Sequence, residues 1–189
     1  MDLFEYISVL TSIIIGLGIA HLLRGVARLI QHPGRHRTWW VHLVWVGYMF
    51  FQMTFWWWWE FNLNTLDLWH FEDYLFVLLY AVVLYLCCAL LFPEELGEYD
   101  SWESYMMSRR GWFFGLMALT NLIDIYDTWL KGAEHFERAG TAYLILTATT
   151  FSGFAAAAIT TNRTYHKVFV LAGFAYQVYW ALSFIGTLV

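Results

Sequence analysis

The chain has 189 residues, 60% hydrophobic and 21% aromatic, with only 13% charged, a net charge of −5 and a mean hydropathy of +0.52. A soluble domain carries about 25% charged residues, so this chain lacks the polar surface to cover itself in water. Its apolar runs reach the ~17 to 25 residues that cross a bilayer as a helix and fill most of the length, which leaves no room for a separate soluble domain.

The chain opens M-D-L-F-E-Y, acidic where a secretory signal is basic, and no small-residue cleavage site follows the first apolar run. That run, about 6–30, therefore reads as a retained helix, closed by Q-H-P-G-R-H-R, in which Pro33 and Gly34 break it. Steps of four from Ser8 give Ser12, Gly16 and Ala20, a small-residue row that reads first as a packing seam. Its second reading is one wall of a narrow pathway, with Glu5 at the outer end, Arg24 and Arg28 at the inner end, and His21 beside it.

The second span, about 39–61, has Trp39 and Trp40 at one end and Trp56 to Trp59 at the other. About 20 residues at 1.5 Å each match the ~30 Å hydrocarbon thickness, so these rings form an interfacial belt. Consecutive helix positions turn by about 100°, so the four tryptophans cannot all face lipid. Stepping back from Glu60 by fours gives Trp56, Gln52 and Tyr48, a hydrogen-bonding stripe expected to face the bundle interior. The competing reading makes Glu60 a solvated anchor at the membrane surface.

The third span, about 71–92, stops at Pro93 and holds the only cysteines, Cys87 and Cys88. Adjacent cysteines suit neither a disulfide framework nor a zinc site, and these read as packing residues. Glu72 and Asp73 at its start read as a solvated rim.

In the fourth span, about 111–130, N-L-I-D-I-Y-D-T-W-L-K sets Asn121, Asp124, Thr128 and Lys131 at helical spacing. Asp127 lies four residues before Lys131 and can pair with it. Asp124 lies ~7.5 Å inside Trp129, with no basic residue of its own helix close by. Insertion of Asp at a helix centre costs about 2.5–3.5 kcal/mol, which makes it a functional candidate. The plainer alternative is a hydrogen-bonded Asp124 that only pins two helices together. Lys131-Gly132 marks the helix end.

The fifth span, about 141–161, is made of small and hydroxylated residues suited to a helix enclosed by others. The sixth, about 168–188, carries Gln177 near its middle, where it needs a buried partner.

Of the ten basic residues, Arg24, Arg28, Arg35, Arg37, Arg109, Arg110, Arg163 and Lys167 flank the first, third and fifth connections, and Lys131 and Arg138 the fourth. The positive-inside rule then puts the odd connections in the cytoplasm and both termini in the periplasm of a bacterial inner membrane. Glu5, Glu60, Glu72, Asp73, Asp124 and Asp127 all fall in the periplasmic half, an acidic funnel for cations. A b-type haem needs two imidazoles at matching depth, and only His21 and His42 come near this. His32, His36, His70, His135 and His166 lie in connections or at span edges.

No P-loop, G-x-G-x-x-G, G-x-S-x-G or H-E-x-x-H is present, no ligand spacing marks a metal site, and no basic aromatic patch points to nucleic acid. No internal repeat supports an inverted-repeat transporter. The expectation is an all-α integral membrane protein, one six-helix bundle over residues 1–189, acting as a channel or transporter for a proton, cation or small polar solute. Asp124 and Glu60 would form the outer site, Gln52 and Gln177 would line the middle and His21 and Arg24 would gate the inner mouth, with Asn121, Asp127 and Glu5 as further pathway or binding residues. No cofactor is expected, and the partners are the lipid bilayer and a homo-oligomer or larger complex. The alternatives are a non-transporting accessory or assembly subunit, and a single-haem or quinone-linked redox protein.

Overall fold

Helix ends fall where the sequence supplies the chemistry to stop or start them. The structure, a computed structural model, describes residues 3–65 and 68–184. Among these are α1 (Leu3–Gln31), α2 (Trp40–Glu60), a 3-10 turn (Phe61–Thr65), α3 (Phe71–Leu91), α4 (Trp102–Leu130), α5 (Ala133–Ile159) and α6 (Arg163–Phe184). Gly34 at φ 85° and Gly132 at φ 115° take the left-handed backbone that ends helices after α1 and α4. Ser101 and Ser104 exchange side-chain and backbone hydrogen bonds in a capping box that starts α4. The side chains of His135 and Arg138, and residues 185–188 of the expected sixth span, lie outside the described residues.

The described chain is all-helical. Phe4–Gln31, Phe71–Leu91 and Gly140–Ile159 are long and apolar enough to cross a membrane. Two helices run further than the apolar stretches that reveal them. α4 begins nine residues before the expected span, because Trp102–Arg110 is helical but polar. α5 begins at Ala133 and kinks at Gly140, φ 67°, immediately before the apolar segment from Thr141.

Helices consecutive in the chain run antiparallel, so the packed pairs α1 with α3 and α2 with α6 run parallel. α4 lies along α5 and α1 along α3, while α2 touches α1, α3, α4 and α6. Glu60, Lys131 and the described end of α6 share one end of the bundle; Arg28, Arg37, Arg110 and Arg163 share the other. Between the ends sits a dry layer formed by Trp45, Met49, Met53, Leu84, Phe114 and Met117, all essentially without solvent exposure. Trp45 packs against Phe113, Phe114, Phe154 and Phe169 at centroid distances of 5.2–6.0 Å, so part of the aromatic excess is core. Cys87 and Cys88 are free and buried, in keeping with a packing role.

The seam of α1 requires a correction. Its buried face is Ile7, Thr11, Ile15, Gly18, Leu22 and Gly25, whereas Gly16 and Ala20 of the expected row are exposed. A row of fours drifts by about 40° at each step, so a straight contact line must mix steps of three and four. Gly18 and Gly25 are the residues that admit close neighbours: an added Cβ would lie 2.3 Å from the Met53 methyl and 2.2 Å from the Phe92 ring. At Gly16 it would meet nothing.

Candidate functional site

The hydrogen-bonding stripe of α2 turns inward as its spacing requires. Trp56 is 3% exposed and Glu60 4%, while Trp57, Trp58 and Trp59 are exposed. Glu60 is therefore a buried carboxylate at the end of α2, where the chain turns into Phe61–Thr65.

Its partner is Lys131, not Asp124. Lys131 Nζ lies 2.9 Å from Glu60 Oε1 and 2.5 Å from Asp127 Oδ2, and all three side chains are almost fully enclosed. The i, i+4 pairing of Asp127 with Lys131 follows from α4 itself, and the contact with Glu60 joins the ends of α2 and α4. Lys131 stands one residue beyond α4. Burial alone would lower its pKa, but Asp127 and Glu60 beside it hold the ammonium above the ordinary lysine range. Glu60 Oε2 and Asp127 Oδ1 are buried and have no hydrogen-bond partner. Beside Glu60 is a nook of about 10 Å³ edged by Ser8, Thr11, Phe4, Trp57 and Trp69, at the lower limit for one water.

Asp124 belongs to an adjoining network. Tyr143 of α5 donates to Asp124 Oδ2 at 2.7 Å and also meets Thr128 Oγ1 at 3.0 Å. The Tyr80 hydroxyl of α3 donates to Asp124 as well. Asn121 accepts from Thr150 at 2.6 Å and donates to the Met117 carbonyl at 2.8 Å. Three carboxyl groups and one ammonium thus gather where α2, α3, α4 and α5 meet. Tyr80 and Tyr143 were not legible as members; only their depth, level with Asp124, could have hinted at them.

Deeper in the bundle, Gln177 Nε2 donates to Gln52 Oε1 at 3.0 Å, so the two midplane amides answer each other across α2 and α6. Glu5 and Arg24 are exposed.

His21 and His42 are hydrogen-bonded to the end of α3. The last carbonyls of a helix have no partner within it, and Pro93 supplies no N–H. Here Tyr105 donates to the Leu90 carbonyl at 2.9 Å, His42 Nε2 to Leu91 at 2.7 Å and His21 Nε2 to Phe92 at 2.9 Å. Arg28 donates to the Glu94 carbonyl at 3.2 Å. A carbonyl only accepts, so both imidazoles carry their proton on Nε2. The nitrogens that a haem pair would present are occupied, and the His42 ring is stacked on Trp102 at 4.8 Å.

His166 does the same for α5, donating from Nε2 to the Thr160 carbonyl at 3.0 Å while stacked on Phe114. Burial lowers its pKa, the Thr160 carbonyl opposes this, and Arg110 adds to the lowering. Burial pushes the Tyr105 hydroxyl up to about 12.

Among the described residues no three His, Cys, Asp or Glu side chains converge as a metal site would require. No protein family, curated protein or solved structure matches the chain.

Proposed function

We propose that the chain is a six-span protein of a bacterial inner membrane, with both termini in the periplasm, and that its acid–lysine cluster handles protons or a small cation in transport. The observation that carries this reading is the enclosed trio Glu60–Lys131–Asp127, with Asp124 alongside and one oxygen each of Glu60 and Asp127 unmatched. Carboxyls outnumber ammonium groups in a place poor in water. Such a set holds extra protons or draws in a cation, because unpaired buried charge is costly.

Six spans are supported by α2, α4 and α6, at 21, 29 and 22 residues, each long enough for a ~30 Å core. α2 owes its modest hydropathy to Trp, Tyr and Gln rather than to charge, and eight of the ten basic residues favour one side. The packed layer around Met49 and Met53 weighs against an open pore for solutes and favours protons or an alternating pathway.

A second reading, the accessory or assembly subunit, draws on the hydrogen bond from Gln177 to Gln52 and on the side-chain cap of α3. Both need only a rigid scaffold. Purified protein in liposomes, with an internal pH dye and imposed gradients of protons or of monovalent cations, separates the two. Transport requires a flux that Glu60→Gln and Asp127→Asn abolish while the protein remains folded. Absence of flux in the unaltered protein under every gradient leaves the scaffold.

A further inference from the structure

At the arginine end of the bundle lies a second recess, far from the acid cluster and unconnected with transport. It is a cavity of about 510 Å³ between the α1–α2 connection, the first turns of α4 and the start of α6. Its volume falls in the ~300–1,000 Å³ range of small-ligand sites. Arg37 and Arg163 line it from different elements, with the hydroxyl groups of Thr38, Ser101 and Ser104 between them and Trp39 and Met107 as apolar walls.

The two guanidinium groups are not equivalent. Arg163 Nε is paired with Glu103 Oε1 at 2.7 Å on the exposed side of the recess. Arg37 is held by its backbone: its carbonyl accepts from Trp102 N–H at 3.2 Å, and the residue bridges to Ser101. Its guanidinium makes no hydrogen bond or ion pair among the described residues. The lining therefore holds two positive charges against one negative, with the unspent charge on Arg37. Glu94, Glu95, Glu98 and Asp100, the acidic residues of the same end, are not part of the lining.

We propose that this cavity binds a phosphate-bearing anion, gripped between Arg37 and Arg163 with the hydroxyls of Ser101 and Thr38 as further donors. A planar guanidinium matches phosphate oxygens two at a time, and basic recesses between membrane helices suit anionic head groups. Trp39 and Met107 offer an apolar surface to the remainder of the ligand. The phosphate comes either from a phospholipid head group or from a soluble phosphate ester.

Native mass spectrometry of the full chain in detergent tests this with three probes: phosphatidylglycerol, phosphatidylcholine and glycerol phosphate. The variants are Arg37→Gln with Arg163→Gln, and Arg109→Gln as an exposed arginine of the same end outside the cavity. The expected result is about tenfold weaker phosphatidylglycerol binding in the double variant only, with phosphatidylcholine weak throughout. The same loss seen with glycerol phosphate but not with lipid assigns the cavity to a soluble ester. Arg37→Lys, which keeps the charge and loses the fork, falls between. Equal loss in Arg109→Gln, or no retention of either phosphate probe by the unaltered protein, overturns the assignment.

Discussion

Lys131 lies 2.9 Å from Glu60 and fastens the end of α4 to the end of α2. Because Lys131 also holds Asp127, it is the only cation serving two buried carboxylates in this trio. Replacing Lys131 by Met leaves both unpaired and is expected to destabilise the fold by about 3–5 kcal/mol. Glu60→Gln leaves Lys131 with Asp127 and is expected to cost about 1 kcal/mol. Reversible unfolding in mixed micelles compares the two, and equal losses would refute the shared-lysine arrangement.

The two glycine environments of α1 predict opposite outcomes for the same change. Gly25→Ala drives a methyl into the Phe92 ring and is expected to cost about 1–3 kcal/mol. Gly16→Ala meets open space and is expected to stabilise the helix by roughly 0.5–1 kcal/mol. Melting temperatures in detergent check the signs.

Tyr143→Phe removes the donor to Asp124 and the partner of Thr128 without changing the ring. Its expected cost is about 1–3 kcal/mol, since a buried acceptor is left short of a donor. Tyr143 belongs to no expected site residue set, so an unchanged melting curve would remove it from the network.

His166 gives the pH dependence. Its folded pKa is lowered, so the folded form stays neutral where an unfolded histidine, near 6.5, takes a proton. The unfolded state then binds more protons, and stability is complete above about pH 6.5 and falls as the pH drops below it. The loss of melting temperature between about pH 7 and pH 5 should shrink in His166→Gln. A loss of the same size in the variant assigns the dependence to other groups.

The helices were legible because burial in hydrocarbon demands long apolar runs, and α1, α2 and α3 fall within a few residues of the expected spans. α4 and α5 overshoot theirs, since apolarity marks where lipid would be and not where hydrogen bonding ends. Of the site, the inward stripe from Tyr48 to Glu60 and the Asp127–Lys131 pair follow from spacing along one helix. The choice of Lys131 over Asp124 as the partner of Glu60 depends on how α2 and α4 are set against each other, and no single-helix pattern contains that. Likewise His21 and His42 matched in depth because both reach the same helix end, where backbone carbonyls need donors.

The cap on α3 also bears on which parts of the molecule can move. Tyr105, His42, His21 and Arg28 come from α4, α2 and α1, and each is bound to a different carbonyl in or just past the last turn of α3. Withdrawing His42 would strand the buried Leu91 carbonyl at about 1–3 kcal/mol, whereas the Glu94 carbonyl is exposed and water can take the place of Arg28. α1 to α4 are thereby keyed together like a stator. α6 lies along α2 and is seated on α5, where the Tyr165 hydroxyl donates to the Gly153 carbonyl at 2.8 Å and Phe169 packs on Phe154 at 5.1 Å. With His166 stacked on Phe114 of α4 and Gln177 bonded to Gln52 of α2, α6 is fastened to that frame by side chains and not by backbone carbonyls.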